Sequence, residues 1–368
     1  SNAPPTVTLH PYQRQYAHVY HQRLAALRPR CWQAVDSSPK VSDDVVKVER
    51  VIEIEEEVRS ILVGTVVKEG SGDEIHPKSR CQASQDIFVE DESGRVNLQV
   101  DNVHDFCTGM VLGLLGTVGK DGILKVEHVF YPALPPQPSI SSCNEVSTSN
   151  EQSLGPPHLL LVSGLSCGDP NMSSLQRDML LSYLRGHFTP TASKVAQVII
   201  AGGNTVESKD HPTIGLQELD GFCLQVCATG IPLDILPGKE DPTTANWPQR
   251  PLHGSLLKYS CRHVSHLLSR VPTPYAAFHA DKYVLGTYGT NVMDLSKSLL
   301  THPTKEDGAV PASNLESLRR TLMCSHICPT GPDTVPTMPH PEFDPIVLPE
   351  TPHIYFAGNC EKFATDMI

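Results

Sequence analysis

The first stretch with a helical repeat of apolar positions runs from Arg14 to Arg30. Pro29 predicts that this helix ends there, because proline has no amide hydrogen to donate and clashes with the preceding turn. We expect the stripe to clamp two neighbouring domains together, although ordinary core packing would explain it equally well. Its members recur every three or four residues and serve as our docking candidates: Tyr16, Tyr20, Leu24 and Leu27.

Between about Lys47 and Tyr131, apolar and polar positions alternate with the period of β-strands. Glycine-containing turns join two strand pairs, in "DIFVEDESGRVNLQV" and in "GMVLGLLGTVGKDGILKVEHVFYP". We interpret "SILVGTVVKE" and the acidic "VIEIEEEV" as further strands. About five short strands with glycines at the bends predict an OB-type β-barrel over residues 46–134.

Barrels of this type often bind single-stranded nucleic acid by stacking bases on aromatic side chains in a basic groove. Here the predicted strands are acidic, and aromatic residues are few: Phe88, Phe106, Phe130 and Tyr131. The pattern favours a barrel that docks to protein. An autonomous single-strand nucleic-acid binder is the alternative.

The stretch Pro135–Pro157 is rich in proline, serine and asparagine, which predicts a linker. After it, apolar strands alternate with amphipathic helices, and this predicts an α/β domain over residues 158–368. Residues 4–45 form a helical N-terminal segment, and residues 1–3 resemble the remnant of a removed purification tag. The glycine-rich "GTYGTN" falls in a predicted hairpin, which argues against a phosphate cradle there.

The chain has 368 residues and a formal net charge of −12, from 29 basic and 41 acidic residues. This length allows two or three domains. The negative charge repels a DNA backbone on average, so tight independent DNA binding is not expected. No apolar run is long enough to span a bilayer and no signal-peptide pattern is present, so we expect a soluble intracellular protein.

Eleven cysteines, an odd number, argue against a complete disulfide framework. Cys223 and Cys227, like Cys324 and Cys328, are separated by three residues, and a zinc site could join these four with His326. Zinc knuckles usually have two intervening residues, whereas three place both thiols on one face of a helix. We therefore expect buried free thiols and substoichiometric zinc.

The loop in "IPLDILPGKEDPTTANWPQRPLH" (Ile231–His253) has the layout of an active-site rim. An apolar strand ends in Pro-Gly and is followed by Lys239, Glu240 and Asp241, which is how many α/β enzymes present catalytic groups. Sequence signatures of a phosphate-binding P-loop, a serine nucleophile elbow and a zinc protease are all absent.

The ends of the predicted strands resemble the skeleton of a calcineurin-like metallophosphoesterase, in the order "VSGLSCG", "IIAGGNTVES", "ILPGKEDP", "MCSHICP" and "YFAGNCEK". An OB barrel before such a domain is the arrangement of the B-subunits of replicative DNA polymerases. Within that family, "RQYAHVYHQRLAALRP", "SHICPTGPDT" and "FDPIVLPETPHIYFAGN" are similar to the small regulatory subunits of polymerase delta. The resemblance covers about residues 11–363 and implies an OB-type barrel packed on a calcineurin-like α/β domain, a mixed α+β and α/β fold class.

A dinuclear phosphoesterase needs about half a dozen carboxylate, histidine and asparagine ligands to hold two cations. The family motifs place other residues at most of these positions. In the first two motifs the ligands are replaced by Gly164, Ser166, Gly203 and Val206.

In the third motif Gly238 matches, and Asp241 matches an acid that supports the site without binding metal. The Asn and His ligands are replaced there by Lys239 and Glu240, and the last two histidines by Asn359 and Glu361. His326 sits where a ligand histidine belongs, but one imidazole cannot hold two metal ions, and Lys239 adds a positive charge. We expect no metal, no cofactor and no catalytic residue.

The resemblance implies a noncatalytic accessory subunit of the DNA polymerase delta complex, in the nucleus, acting in DNA replication and repair. It implies that both domains hold the C-terminal metal-binding region of the catalytic subunit and dock a third regulatory subunit. A shared role in the translesion polymerase zeta stays open. DNA is reached through the complex only, and no membrane is a partner. The alternatives are an active metallophosphoesterase with a displaced metal site and the single-strand binder.

The resemblance also leads us to expect further strands after "FAGN", beyond Ile368, and an omitted loop within residues 208–219.

Overall fold

The structure is a computed structural model that describes residues 17–42, 44–70, 85–139, 156–206, 213–301 and 310–368. The chain divides into two compact units. Unit 1 comprises Ser1–Pro136, Asn291–Thr351 and Thr365–Ile368, and unit 2 comprises Gln137–Thr290 and Pro352–Ala364.

The N-terminal helix α1 (Ala17–Asp36) carries Pro29 in its interior, so the predicted end at this proline is wrong. Beyond the proline, Cys31 and Val35 are fully buried and pack in the apolar clusters of unit 1. The burial of this last part of the helix offsets the one backbone hydrogen bond that a proline removes, because helices in proteins are held mainly by packing of their apolar face.

Six strands follow and form a closed barrel. They are β1 (Val46–Val48), β2 (Arg59–Gly70), β3 (Gln85–Glu90), β4 (Arg95–Gln99), β5 (Val111–Val118) and β6 (Ile123–Phe130). Their order is β1-β2-β3-β4-β6-β5, and β5 also pairs with β2, which closes the barrel. The two predicted hairpins, β3–β4 and β5–β6, are confirmed as antiparallel pairs.

The acidic stretch "VIEIEEEV" is not the strand that we predicted. Val51–Glu53 forms a short 3₁₀-helix, and the residues after it are irregular. A half-buried strand needs every second side chain inside. Here Val51 and Ile54, three residues apart, contact the core, whereas Ile52 is 68% exposed and the following glutamates do not enter the core. The alternation therefore reflected composition alone.

Unit 2 alternates strands and helices, as predicted. The first part contains β7 (His158–Val162), α2 (Leu175–Leu184), β8 (Val195–Ala201), α3 (Ile214–Cys227), β9 (Leu233–Leu236), α4 (Lys258–His263) and β10 (Leu268–Arg270). These four strands form a parallel sheet of order β10-β9-β8-β7. Helices α2 and α3 supply buried side chains to the core of this sheet, and Cys261 of α4 packs against it partly buried.

The rest of the chain adds a hairpin and several short elements. They are β11 (Tyr275–His279), β12 (Lys282–Thr287), α5 (Thr290–Ser298), β13 (Leu300–Thr301), β14 (Val310–Pro311), α6 (Asn314–Met323) and β15 (Ile354–Ala357). Strands β11, β12 and β15 form the second sheet of unit 2, with β15 parallel to β12. Ile199 and Leu236 of the first sheet share an apolar cluster with Val284 and Phe356 of the second.

The hairpin β11–β12 is confirmed, with Ala280 and Asp281 at positive φ in its turn. Only the first two residues of "GTYGTN", Gly286 and Thr287, lie in this hairpin, so the predicted placement is partly correct. The segment joins the end of β12 to the start of α5, because glycine at a φ of 97° at position 289 lets the chain leave the strand and enter the helix.

Helix α5 and the residues directly after α5 and α6 pack with the barrel. Leu295, Leu299 and Cys324 lie in the same apolar core as the barrel residues Leu62 and Leu112. These residues therefore share a compact unit with the barrel, and the order of strands and helices along a sequence does not say which of them share a core. The predicted domain boundary at residue 158 stays a prediction. Among the described residues, no helix is both long and apolar enough to cross a membrane.

Candidate functional site

Four loops of unit 2, each following a parallel strand, are joined by hydrogen bonds. They comprise residues 163–168, 202–206, 237–241 and 358–361, and we call them the loop cluster. The Ser166 amide donates to the Gly203 carbonyl at 2.9 Å, and the Asn359 amide donates to the Ser163 hydroxyl at 3.0 Å. The loops that carry the predicted positions Ser166, Gly203 and Asn359 are thus brought together.

Gly203 and Asn359 exclude any larger side chain at the second motif. Gly203 has a φ of 63°, and a Cβ added to it would lie 2.3 Å from Oδ1 of Asn359. The Asn359 amide group is held in place, because its Nδ2 donates to the carbonyls of Ala201 at 3.3 Å and Tyr288 at 3.0 Å. The space that an aspartate ligand would need is therefore filled by the side chain of Asn359.

Asp241 holds the loops after β8 and β9 together. Its Oδ2 accepts hydrogen bonds from Asn204 Nδ2 and from the Gly238 amide, both at 2.6 Å. Its Oδ1 accepts from the Thr205 amide at 3.0 Å and the Thr205 hydroxyl at 2.8 Å. With four donors on a buried carboxylate, Asp241 is engaged as a structural acceptor rather than presented to a cation.

The other predicted positions in unit 2 do not converge on a cation site. Lys239, Glu240 and Glu361 are exposed, Val206 is apolar and 38% exposed, and Ser166 has its hydroxyl 3.5 Å from the Gly164 carbonyl. Across the described part of the chain, no three His, Cys, Asp or Glu side chains are grouped so that they could hold a metal ion.

His326 belongs to unit 1, where both of its ring nitrogens are occupied. Nδ1 accepts a hydrogen bond from the Cys328 amide at 3.2 Å, so the proton of the neutral ring lies on Nε2, 2.9 Å from Oδ2 of Asp344. Burial, together with the Arg23 guanidinium, lowers the pKa of His326 to about 4. The ring is therefore neutral at pH 7 and is a donor to a carboxylate, not a metal ligand.

Arg23 completes this buried network, and the sequence interpretation missed it. Its Nε donates to Asp344 Oδ2 at 2.9 Å, while Nη1 donates to the carbonyls of Gly109 and Pro329 and Nη2 to that of Gly331. Burial by itself raises the pKa of Asp344, but His326 and Arg23 outweigh it and hold that pKa well below its usual range. Arg23 thus ties α1 to the barrel and to the segment after α6.

A signal for Arg23 was present in the sequence. It lies four residues after Val19 and four before Leu27, both buried, so it occupies the apolar face of α1. Arginine is rarely fully buried unless it is paired, and its partner Asp344 is 321 residues away in sequence. The helical position was readable, whereas the partner was not.

The four docking candidates on α1 differ in their burial and contacts. Tyr16 lies outside the described residues. Tyr20 is half-buried, and its hydroxyl donates to Asp333 at 2.7 Å. Leu24 and Leu27 are buried against Val63 and Val111 of the barrel, so they fasten α1 within unit 1. The predicted clamp therefore joins the barrel to the segment that follows α6, which lies in the same unit.

The cysteines of both pairs are buried free thiols, as expected. Cys223 and Cys227 share helix α3, and burial raises the pKa of Cys227 to about 11. The expectation of a shared helical face is wrong for Cys324 and Cys328, because α6 ends at Met323 and Ser325 has a φ of 48°. Burial raises the pKa of both thiols to about 12. The low zinc content stays a prediction.

The comparison with known families now decides the relationship. The family of B-subunits of DNA polymerases alpha and epsilon matches residues 159–365, which is more than half of the chain. The chain belongs to this family. A second family, the DNA polymerase delta subunit OB-fold domain, matches residues 15–129 and confirms the predicted OB type of the barrel.

Curated relatives are similar to this chain over nearly its whole length. The DNA polymerase delta small subunit of Oryza sativa subsp. japonica is 29% identical, over 96% of this chain and 84% of the relative. DNA polymerase delta subunit 2 of Drosophila melanogaster is 28% identical over 97% and 85%. The DNA polymerase delta small subunit of Saccharomyces cerevisiae is 28% identical over 97% and 82%. The resemblance to the small subunits of polymerase delta is thereby confirmed.

Proposed function

We propose that this protein is the noncatalytic small subunit of a DNA polymerase delta complex and acts in DNA replication and repair in the nucleus. The observation that carries the proposal is the pair of family matches, one over the barrel and one over the remainder of the chain. Relatives named as polymerase delta small subunits, similar over 96–97% of the chain, support the same assignment.

The second domain is, in this proposal, a calcineurin-like phosphoesterase domain that has lost its chemistry. Its support lies in the loop cluster, where glycines stand at two aspartate positions and Asn359 fills the space beside Gly203. Asp241 retains a framework role with four hydrogen-bond donors on its carboxylate. A two-metal mechanism needs ligands on two cations and an activated water, and these loops provide no such ligand set.

The partners are the C-terminal metal-binding region of the catalytic subunit and a third regulatory subunit, with polymerase zeta as a second user of the same protein. A rigid platform suits this role, because docking then spends little free energy on ordering the surface. Arg23 supports such rigidity in unit 1, since it links α1, the barrel and the segment after α6 through buried hydrogen bonds.

Co-purification tests the proposal. The full chain, tagged, is expressed with the C-terminal region of the polymerase delta catalytic subunit, and we expect the two to elute together at equal stoichiometry from a sizing column. The C-terminal region of the polymerase zeta catalytic subunit should be retained too, and that of polymerase alpha, the matched control, should not. Failure to retain the delta region by a folded chain, or equal retention of the alpha region, would contradict the assignment.

A further inference from the structure

Unit 2 contains a stretch whose charge is opposite to that of the protein as a whole. Between Pro242 and Ala280 there is no aspartate or glutamate, although the protein carries a net charge of −12. The same stretch holds four cationic side chains, and all four residues are exposed: Arg250, Lys258, Arg262 and Arg270. A local region of this kind attracts anions even though the whole protein repels them.

Two of these cations lie on α4, and a third contacts the turn that leads into it. Lys258 and Arg262 are four residues apart on α4 and therefore project from the same side of that helix. The Arg270 guanidinium lies beside Gly254, which begins the short turn leading into α4, and its Nη1 donates to the Leu252 carbonyl at 2.9 Å. We call Lys258, Tyr259, Arg262 and Arg270 the α4 surface.

The cations of the α4 surface are not neutralised by neighbours. Arg28, Arg59 and Arg177 form ion pairs with carboxylates, whereas within the described ranges no carboxylate lies at ion-pair distance from Lys258, Arg262 or Arg270. The acid that contacts α4 is Asp220 of α3. It is buried, and its carboxylate accepts the Tyr259 and Ser260 amides at 2.8 Å.

The exposed side chains of this surface fit a nucleic acid better than an acidic protein segment. Tyr259 is 66% exposed and lies three residues before Arg262 on α4, so an aromatic ring and a cation are neighbours on the helix surface. Between Pro242 and Ala277, no aliphatic side chain is among the exposed large apolar residues of the described chain. Protein interfaces usually need a buried apolar or aromatic centre surrounded by further contacts, whereas single-stranded DNA needs cations for phosphates and a ring for a base.

We propose that the α4 surface binds single-stranded DNA, with Lys258, Arg262 and Arg270 on the phosphates and Tyr259 stacked on a base. The binding is weak and strongly salt-dependent, because a few cations act against the negative charge of the remaining protein. This site lies in unit 2 and is separate from the OB barrel, for which the acidic strands argued against such binding. It goes beyond the proposed docking role.

The test measures fluorescence anisotropy of a labelled oligothymidylate with the full chain at several salt concentrations. We expect the logarithm of the affinity to fall with the logarithm of salt with a slope of about −2, as for three cations on a single strand. The variant Lys258→Glu/Arg262→Glu should lower the affinity at low salt by about tenfold or more. The control Lys125→Glu/Arg319→Glu makes the same change of charge at exposed residues of unit 1 and should lower it less than about threefold.

Tyr259→Ala separates stacking from charge. It should weaken oligothymidylate binding by about tenfold and leave binding of a duplex unchanged, because paired bases do not stack on a protein ring.

Melting temperatures equal to wild type show that the variants are folded. If the glutamate variant is not folded, Lys258→Gln/Arg262→Gln is used in its place. Absence of binding by wild type at low salt, an equal loss in the control, or equal effects of Tyr259→Ala on single strand and duplex would overturn the proposal. So would a polyglutamate peptide of matched charge that competes as well as the oligonucleotide, since the partner would then be an acidic protein. None of these outcomes bears on capture of the catalytic subunit.

Discussion

Oδ1 of Asn359 lies only 2.3 Å from the position that a Cβ on Gly203 would occupy, which is too close for any side chain there. In the proposed phosphoesterase-like domain, these two positions correspond to an aspartate and a histidine ligand. The residues that occupy them here are packed against each other. Restoring one ligand would create a steric conflict with the other position.

This packing predicts a large cost for the smallest substitution at Gly203. Gly203→Ala should lower the free energy of unfolding by about 2–4 kcal/mol, because alanine is strained at this positive φ and its methyl group meets Asn359. Urea denaturation measures the change.

Gly221→Ala is the matched control for this substitution. Gly221 lies inside α3 with open space at its Cβ, so alanine there should raise the stability by up to about 1 kcal/mol. In the double variant Gly203→Ala/Asn359→Gly, the steric part of the cost should be relieved, and the two substitutions should couple. Strict additivity would show that Asn359 does not fill this space.

Arg23 should be the most costly charged residue of α1 to replace. Arg23→Met leaves three backbone carbonyls without their donor and Asp344 without its cationic partner, and we expect a loss of about 3–5 kcal/mol in unfolding free energy. Arg28→Met on the same helix removes a partly exposed pair with Glu92 and a longer one with Asp91, which keeps three backbone donors, and it should cost less than about 1 kcal/mol. Equal losses in the two variants would mean that the buried network contributes nothing specific.

His326 should make the protein sensitive to mild acid. Its pKa is about 4 in the folded protein and about 6.5 in the unfolded chain, so the unfolded state takes up the proton first as the pH falls. Stability is complete above pH 6.5 and declines towards pH 4, by about 2 kcal/mol between pH 7 and pH 5. The lowered pKa of Asp344 adds a further loss at lower pH.

His326→Gln removes this titration while keeping a side-chain amide donor. The variant is expected to be less stable than wild type at pH 7 but to lose less stability between pH 7 and pH 5. Burial also lowers the pKa values of His104 and His128, which contribute in the same direction to both proteins, so the difference between the two pH profiles is the quantity to compare. Parallel profiles would remove His326 as the cause.

The apolar stripe of α1 should matter unequally along its length. Leu27 is 1% exposed, and Leu27→Ala should cost about 3–5 kcal/mol through the cavity it leaves. The sequence pattern alone suggests about 3 kcal/mol for Tyr20→Ala, which assumes a buried ring. Because Tyr20 is half-buried, we now expect a smaller loss than for Leu27→Ala, mainly from the hydrogen bond to Asp333. Thermal unfolding of both variants, with Ser149→Ala as a neutral control, ranks them, and a larger loss for Tyr20→Ala would reverse this order.

Local patterns were sufficient for much of the fold. Alternation and glycine turns predicted the β3–β4 and β5–β6 hairpins, because cross-strand pairing there is local in sequence. Alternation failed at "VIEIEEEV", because the glutamates there give the alternating pattern of a strand although these residues do not form one against the core. Pro29 failed as a helix end, because burial of Cys31 and Val35 outweighs the local preference.

The side-chain contacts of the site could not be predicted from local sequence patterns. The order of the motifs was sufficient to predict that Gly164, Gly203 and Asn359 lie in neighbouring loops. The hydrogen bonds on Asp241 and the network of Arg23, His326 and Asp344 join residues that are distant in sequence, and a single sequence does not say which of them meet. For this reason the sequence motif suggested His326 as a remaining metal ligand, whereas in the structure it is a buried hydrogen-bond donor to Asp344.

The central claim is that the loop cluster is a framework without hydrolytic chemistry. The measurement that tests it most directly is hydrolysis of bis(p-nitrophenyl) phosphate and p-nitrophenyl phosphate by the purified full chain with excess manganese or magnesium. We predict no turnover above the rate of the buffer with either metal. Manganese-dependent turnover that copurifies with the chain and is lost in both Asp241→Asn and Asn359→Ala would contradict the claim.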